Sequence, residues 1–337
     1  MSLFINKKVW STFTEDQMEK YIDNVFNHYR EHGFPYFDVD RDKEFKKMLA
    51  YDGELRQGYT IKQTMHGLSL AWSYFPHSWD VRCNGKMTVM EAFTDDDIFR
   101  KVIRKRIRMG DNMSDNGIRK MLKMFSGVQA VSNFRPTAAS AIYETFLPEG
   151  GGKILDMSSG FGGRLLGAIR ANHRVGEISY EGYDPSTPTF KGLLDLSKDY
   201  GNGMDIKINH KGSEEISLVG DCDFAFSSPP YYDTEKYTNE PTQSYNKFPS
   251  KSLWLNEFMG QTFSNVHRAL KKDCYMVINI ANVPSYPNLE SDIIELAKRC
   301  GFSYYGDMKL ALSNSTFKKG KSAYKYEPMF IFKRKIK

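Results

Sequence analysis

Apolar residues recur at helical spacing near the start of the chain. Met18, Tyr21, Ile22, Val25 and Phe26 predict an amphipathic helix over 13–32. Over 34–95 that order is lost. Tyr36, Phe37, Trp72, Tyr74, Phe75 and Trp79 mark an irregular, aromatic-rich stretch that fits either an accessory fold or several loops. Over 100–108, Val102, Ile103 and Ile107 share one helix face, so Arg104, Lys105, Arg106 and Arg108 are expected on the other. Such a stripe is either a phosphate-contacting surface or a solvated face. A further helix is expected over 115–128. From about residue 130 the pattern changes to short apolar runs separated by helical periods. Ile154 and Leu155, then 178–185, 206–210, 223–226 and 274–280, predict strands. Leu165, Leu166 and Ile169, then Phe258 to Leu270 and 289–300, predict helices between them. That alternation predicts an α/β fold with a doubly wound, mostly parallel sheet. Residues 302–312 and 328–332 predict two further strands. The pattern places an accessory region at 1–129 and an α/β domain at 130–337.

Two junctions carry candidate chemistry. The run 223–226 stops at Ser228-Pro229-Pro230-Tyr231. Two prolines lack the N–H that a strand ladder needs, so the strand ends there in a rigid edge. The Ser228 oxygen and the Pro229 carbonyl suit an exocyclic NH2 as acceptors, and Tyr231 suits the face of its ring. An ordinary strand-ending turn would use the same prolines. Upstream, Asp156-Met157-Ser158-Ser159-Gly160-Phe161-Gly162-Gly163 joins a strand to a helix. Its glycines permit positive φ and close approach of backbone to a ligand, as in the cofactor turns of doubly wound sheets.

In this order and separation, the two motifs resemble the S-adenosylmethionine-dependent DNA methyltransferases that modify exocyclic amines. In that family an Asp-x-x-x-Gly-x-Gly loop ends the first strand and a (Ser/Asn/Asp)-Pro-Pro-(Tyr/Phe/Trp) tetrapeptide ends the fourth. The resemblance covers roughly residues 130 to 335. It implies a Rossmann-like class I methyltransferase fold with 130–337 as catalytic domain and 302–312 and 328–332 as its closing antiparallel hairpin, and S-adenosyl-L-methionine as cofactor. It also implies that Asp156, Ser158, Gly160 and Gly162 form the cofactor turn. Phe134 and Pro136 match the segment that encloses the methionine end of the cofactor, and Arg135 suits its carboxylate. Asp184, at the end of the second strand, suits the ribose diol, and Ser213 or Glu214 the neighbourhood of the adenine. The tetrapeptide Ser228, Pro229, Pro230 and Tyr231 is implied to be catalytic, on a base flipped out of the duplex. Ser at the first position points to the 4-amino group of cytosine ahead of the 6-amino group of adenine. It also argues against protein glutamine as acceptor. Carbon-5 chemistry is disfavoured, because no cysteine follows a proline. RNA as acceptor, and a catalytically silent nucleic-acid-binding relative, are the alternatives.

Composition adds little beyond partner type. The 337 residues carry a formal net charge of +6, a mild basic excess compatible with DNA as partner. The polar, unpatterned 232–251 segment reads as a long loop beside the tetrapeptide, with Tyr232, Lys236 and Lys247 expected on nucleic acid. Lys319, in the basic loop between the last two strands, is expected there too. Four scattered cysteines lack metal-ligand spacing and read as reduced thiols, so no metal is expected. No signal peptide and no membrane-length apolar run is found, which places the protein in the cytoplasm, with a restriction-modification or phage self-protection role open.

Overall fold

A computed structural model of the chain describes residues 7–110, 112–312 and 325–335. Two compact units emerge, with a division more interleaved than the single boundary expected near 129. One unit holds the chain up to Asp38 together with Pro76–Ser132; the other holds Val39–Phe75 and the chain from Asn133 onward.

The first unit is helical. Helix α1 (Glu15–His32) starts at Thr14, whose hydroxyl accepts from the Gln17 N–H while the Gln17 side chain accepts from the Thr14 N–H. That reciprocal pair satisfies two otherwise orphaned donors. Helices α2 (Val89–Thr94), α3 (Asp96–Arg108) and α4 (Asp115–Lys123) follow. The expected apolar faces are inside: Tyr21, Ile22, Val25 and Phe26 pack with Val102, Ile103 and Ile107 in one core. Helix α4 ends earlier than 128, at Lys123.

The second unit is built on a nine-stranded sheet. Its strands are β1 (Arg56–Gln57), β2 (Thr60–Ile61), β3 (Gly152–Asp156), β4 (Ile178–Tyr183), β5 (Ile206–Asn209), β6 (Cys222–Ser227), β7 (Leu270–Asn279), β8 (Phe302–Ala311) and β9 (Tyr326–Arg334). The spatial order is β1-β2-β8-β9-β7-β6-β3-β4-β5. Strands β5, β4, β3, β6 and β7 run parallel. Strand β9 is antiparallel to both β7 and β8, the closing hairpin that the resemblance implied. The β1–β2 hairpin, from the stretch the sequence left irregular, adds to the sheet edge by parallel pairing of Thr60 with Lys309.

The chain runs from β3 outward through β4 and β5, then returns to place β6 on the other side of β3. This reversal opens a crevice at the carboxyl ends of β3 and β6, where open α/β sheets bind ligands. Helix α5 (Pro136–Phe146) leads into β3, α6 (Gly163–Val175) leaves it, and α7 (Thr187–Tyr200) leaves β4. A helix enters from Lys251, widens over Trp254–Met259 and continues as α8 (Gly260–Ala269); α9 (Leu289–Arg299) precedes β8. Beneath the crevice Phe224 and Phe226 are fully buried against Tyr143. Burying each such ring contributes about 2–3 kcal/mol. The crevice therefore has a rigid floor.

Candidate active site

Asp156 ends β3 with no solvent exposure, and its carboxylate organises the glycine turn. Arg164 Nε donates to Oδ2 at 2.8 Å and the Tyr180 hydroxyl at 2.7 Å. Ser227 Oγ donates to Oδ1 at 2.9 Å and the Ser158 amide at 3.2 Å. The Arg164 guanidinium also donates to the Ser158 carbonyl. Asp156 thus ties β3 to β4, to β6 and to the first turn of α6. Its oxygens are taken, so it acts by shaping the turn.

The turn itself needs glycine. Gly162 sits at φ 73°, where a side chain would also strike Phe75 and Leu196 at 2.9 Å. A Cβ on Gly163 would lie 1.8 Å from the Phe134 carbonyl. The chain before α5 and the start of α6 therefore meet backbone to backbone. Asn133 Nδ2 donates to the Phe161 carbonyl at 2.8 Å, reinforcing that contact. Trp72 and Phe75 flank the Phe161 ring at 5.4 and 5.7 Å between centroids. Neither was marked by any motif.

Asp184 follows β4, buried, and accepts from the Gly160 amide at 2.9 Å and the Ser186 amide at 3.0 Å. Burial pushes its carboxyl up to about 6, against the two backbone hydrogen bonds that favour the ion. Ser213 is buried with its hydroxyl 2.8 Å from that of Thr262, so it faces α8. Pro136 opens α5 at its first position, where its missing N–H costs nothing. Phe134 meets Phe226 edge-on at 5.2 Å. Arg135 is half-buried, and burial alone lowers its guanidinium below the usual value, with no charged group acting on it. It has no ion-pair partner among the described residues.

At the end of β6, Pro229 is buried and Ser228, Pro230 and Tyr231 are half-buried. Tyr231 packs on the core while its hydroxyl donates to Glu327 Oε1 at 2.9 Å, with the Asn279 carbonyl 3.4 Å away. The Ser228 side chain also faces that hydroxyl. Tyr232 turns the chain at φ 59°, an uncommon conformation for a bulky residue, and its ring meets Trp254 and Tyr286 edge-on. The following loop returns toward the glycine turn. The Tyr237 ring lies 6.0 Å from that of Phe161, and Glu240 accepts from the Thr187 amide at 3.1 Å, at the start of α7.

The glycine turn, Asp184 and the tetrapeptide thus share one crevice edge. The residues expected on nucleic acid fall in both units. In the other unit, Arg106 departs from the expectation: it is buried, and its Nε and Nη2 donate to the Asn112 carbonyl at 3.0 and 2.8 Å. Its aliphatic stem continues the apolar face of α3 while the head is consumed by a loop. Arg104 pairs with Glu19 at 2.7 Å, and Lys105 donates to the Met124 carbonyl at 3.3 Å. Arg108 is exposed. In the sheet unit, Lys247 is held by Glu214 at 2.7 Å, and Lys236 is exposed. Lys319 lies outside the described residues. Among those residues no group of His, Cys, Asp or Glu suits a metal ion, and no helix is long and apolar enough to cross a membrane.

The order β5-β4-β3-β6-β7-β9-β8, with β9 alone antiparallel to both of its neighbours, is the Rossmann-like class I methyltransferase fold. No protein-family model matches the chain, and no curated protein does. Solved structures that resemble it include an S-adenosylmethionine-dependent methyltransferase from Methanosarcina mazei. That pair has 13% identity over 58% of this chain and 98% of the other, with a TM-score of 0.39. A methyltransferase from Pyrococcus furiosus has 18% identity over 69% and 98%, with a TM-score of 0.40. An N1-methyltransferase from Burkholderia thailandensis, solved with S-adenosylhomocysteine, has 12% identity over 60% and 78%, with a TM-score of 0.39. The fold assignment stands on the strand order itself.

Proposed function

We propose that this protein transfers a methyl group from S-adenosylmethionine to an exocyclic amine of a base in DNA, cytosine N4 ahead of adenine N6. The observation that carries the reading is the placement of Ser228-Pro229-Pro230-Tyr231 beside the glycine turn at the reversal point of the sheet. A cofactor donor and a planar amine acceptor would meet across that crevice.

The residues fit the cofactor. Asp184 offers a carboxylate for the ribose diol, and Gly160 leaves open space above the turn, with nothing nearer than 3.8 Å to a built Cβ. The Arg135 guanidinium, without an ion-pair partner among the described residues, suits a carboxylate. The cofactor, when bound, supplies an already activated methyl group, so no protein nucleophile is called for. Ser228 and the Pro229 carbonyl accept hydrogen bonds from the amine, which draws its lone pair out of conjugation with the ring. Tyr231 covers the ring face. Catalysis is then mostly positioning.

Incubation with labelled S-adenosylmethionine and unmethylated genomic DNA, followed by nucleoside mass spectrometry, tests this. A 4-methylcytosine peak is expected. A 6-methyladenine peak would move the target to adenine. Label found only in RNA would reassign the acceptor, and cofactor binding with no label in either would overturn the catalytic reading.

A further inference from the structure

Glu327 lies 96 residues after Tyr231 in sequence, yet its Oε1 accepts the Tyr231 hydroxyl at 2.9 Å. No motif includes it. Strand β9 runs antiparallel to β7, so the start of β9 lies at the carboxyl edge of the sheet. Met329 pairs with Asn279, the last residue of β7, and Glu327 is two residues nearer that edge. The Asn279 amide donates to the Pro328 carbonyl at 3.0 Å and pins the start of β9 in place. The Asn279 side chain also faces the Glu327 carboxyl.

This carboxyl is not part of an ion pair among the described residues. Burial raises its pKa, Glu290 adds to the rise, and the hydrogen bonds from Tyr231 and Asn279 oppose it. A half-buried acid without a cation costs stability. Its return is the hydrogen bond that fixes one aromatic ring. That ring is constrained at the backbone as well, by Pro229-Pro230 before it and by the left-handed Tyr232 after it. A ring held at both ends loses no rotamer freedom when a flat acceptor stacks on it.

We propose that Glu327 is a positioning residue of the acceptor site, which holds the Tyr231 ring as a platform for a planar heteroaromatic amine. The inference rests on the methyltransferase reading and extends it to a residue outside the tetrapeptide. Glu327 acts through Tyr231 and carries no chemistry of its own.

Steady-state transfer of labelled methyl from S-adenosylmethionine to unmethylated genomic DNA tests it, with S-adenosylhomocysteine affinity measured by calorimetry. Glu327→Ala should raise the DNA KM about tenfold, the scale of freeing one ordered side chain, with kcat and S-adenosylhomocysteine affinity little changed. Glu327→Gln keeps a carbonyl acceptor for the phenol and should recover most of the loss. Tyr231→Phe should reproduce the KM increase, and combining it with Glu327→Ala should add nothing. A folded Glu327→Ala protein with unchanged KM would overturn the inference alone. If that variant fails to fold, an unchanged KM in Tyr231→Phe overturns it instead. Wild-type protein that transfers nothing to DNA or RNA would overturn the underlying function and this inference with it.

Discussion

In Asp184 a structural role and the diol-binding role proposed for it have opposing pH dependences. Its folded pKa of about 6 lies above the ordinary value of 3.8 because burial disfavours the ion. Folding therefore prefers the protonated acid: its contribution to stability is full below about pH 4 and is lost as pH rises through about 6. Diol binding prefers the carboxylate. S-adenosylhomocysteine affinity, measured by calorimetry, should accordingly be weakest below about pH 5, rise through about pH 6 and level off above it. Asp184→Asn should weaken binding and flatten that profile. Arg135 supports a second test at this scale. Arg135→Ala should weaken S-adenosylhomocysteine binding about tenfold or more, the worth of a charge-assisted hydrogen bond. Affinity for 5′-methylthioadenosine, which lacks the amino-acid end, should stay the same; an equal loss for both would remove Arg135 from the carboxylate role. Asp156, Ser158, Gly160, Gly162 and Asp184 were legible in the sequence because a strand-end acid and a glycine turn have a local spacing. Trp72, Phe75, Asn279 and Glu327 were not, since each reaches the crevice only through strand pairing or packing.

Among the elements, the junction of α5 and α6 sets the glycine turn. Gly167 would place a Cβ 2.5 Å from that of Ala139, and Gly163 one 1.8 Å from the Phe134 carbonyl, so the two helices approach at backbone distance. Gly163→Ala should shift the turn, lower the melting temperature and cut cofactor affinity, with secondary structure by circular dichroism preserved. The buried Asp156–Arg164 pair locks the same turn. Asp156→Ala leaves a buried guanidinium uncompensated and should cost about 3–5 kcal/mol in urea denaturation. The helices and strands themselves were largely readable, because periods of 3.6 and 2 follow from local geometry. The short helix Arg41–Leu49 and the β1–β2 hairpin were not. Tertiary contacts hold both: Arg170 donates to the Met48 and Tyr51 carbonyls at the end of the helix, and Thr60 and Ile61 of the hairpin pair with Lys309 and Leu310.

For the whole molecule, charge is the coarse handle on a polyanionic partner. The net +6 is modest, and several of the basic residues are spent internally. Arg106 is excluded from any surface test because its removal would open the core of its unit. Arg104→Glu with Arg108→Glu should weaken DNA affinity and reduce the slope of log affinity against log salt by about 0.9 for each phosphate left without its cation. An unchanged slope would assign the α3 stripe to solvent. The boundary expected near 129 from the change in hydrophobic pattern differs from the interleaved division of the structure, in which Val39–Phe75 contributes a sheet-edge hairpin and the rings against Phe161.

The sequence alone determined the alternation of strands and helices and the positions of the glycine turn and of the proline-ended strand. These depend on neighbours a few positions apart, so local sterics and periodicity encode them. Only the tertiary structure decided that Arg106 points inward, that Asp156 is consumed by the turn it organises, and that Glu327 meets Tyr231. Those outcomes depend on which strands pair and which faces are buried. Pairing brings together residues as far apart in the chain as Thr60 and Lys309, and no local pattern along the chain records it.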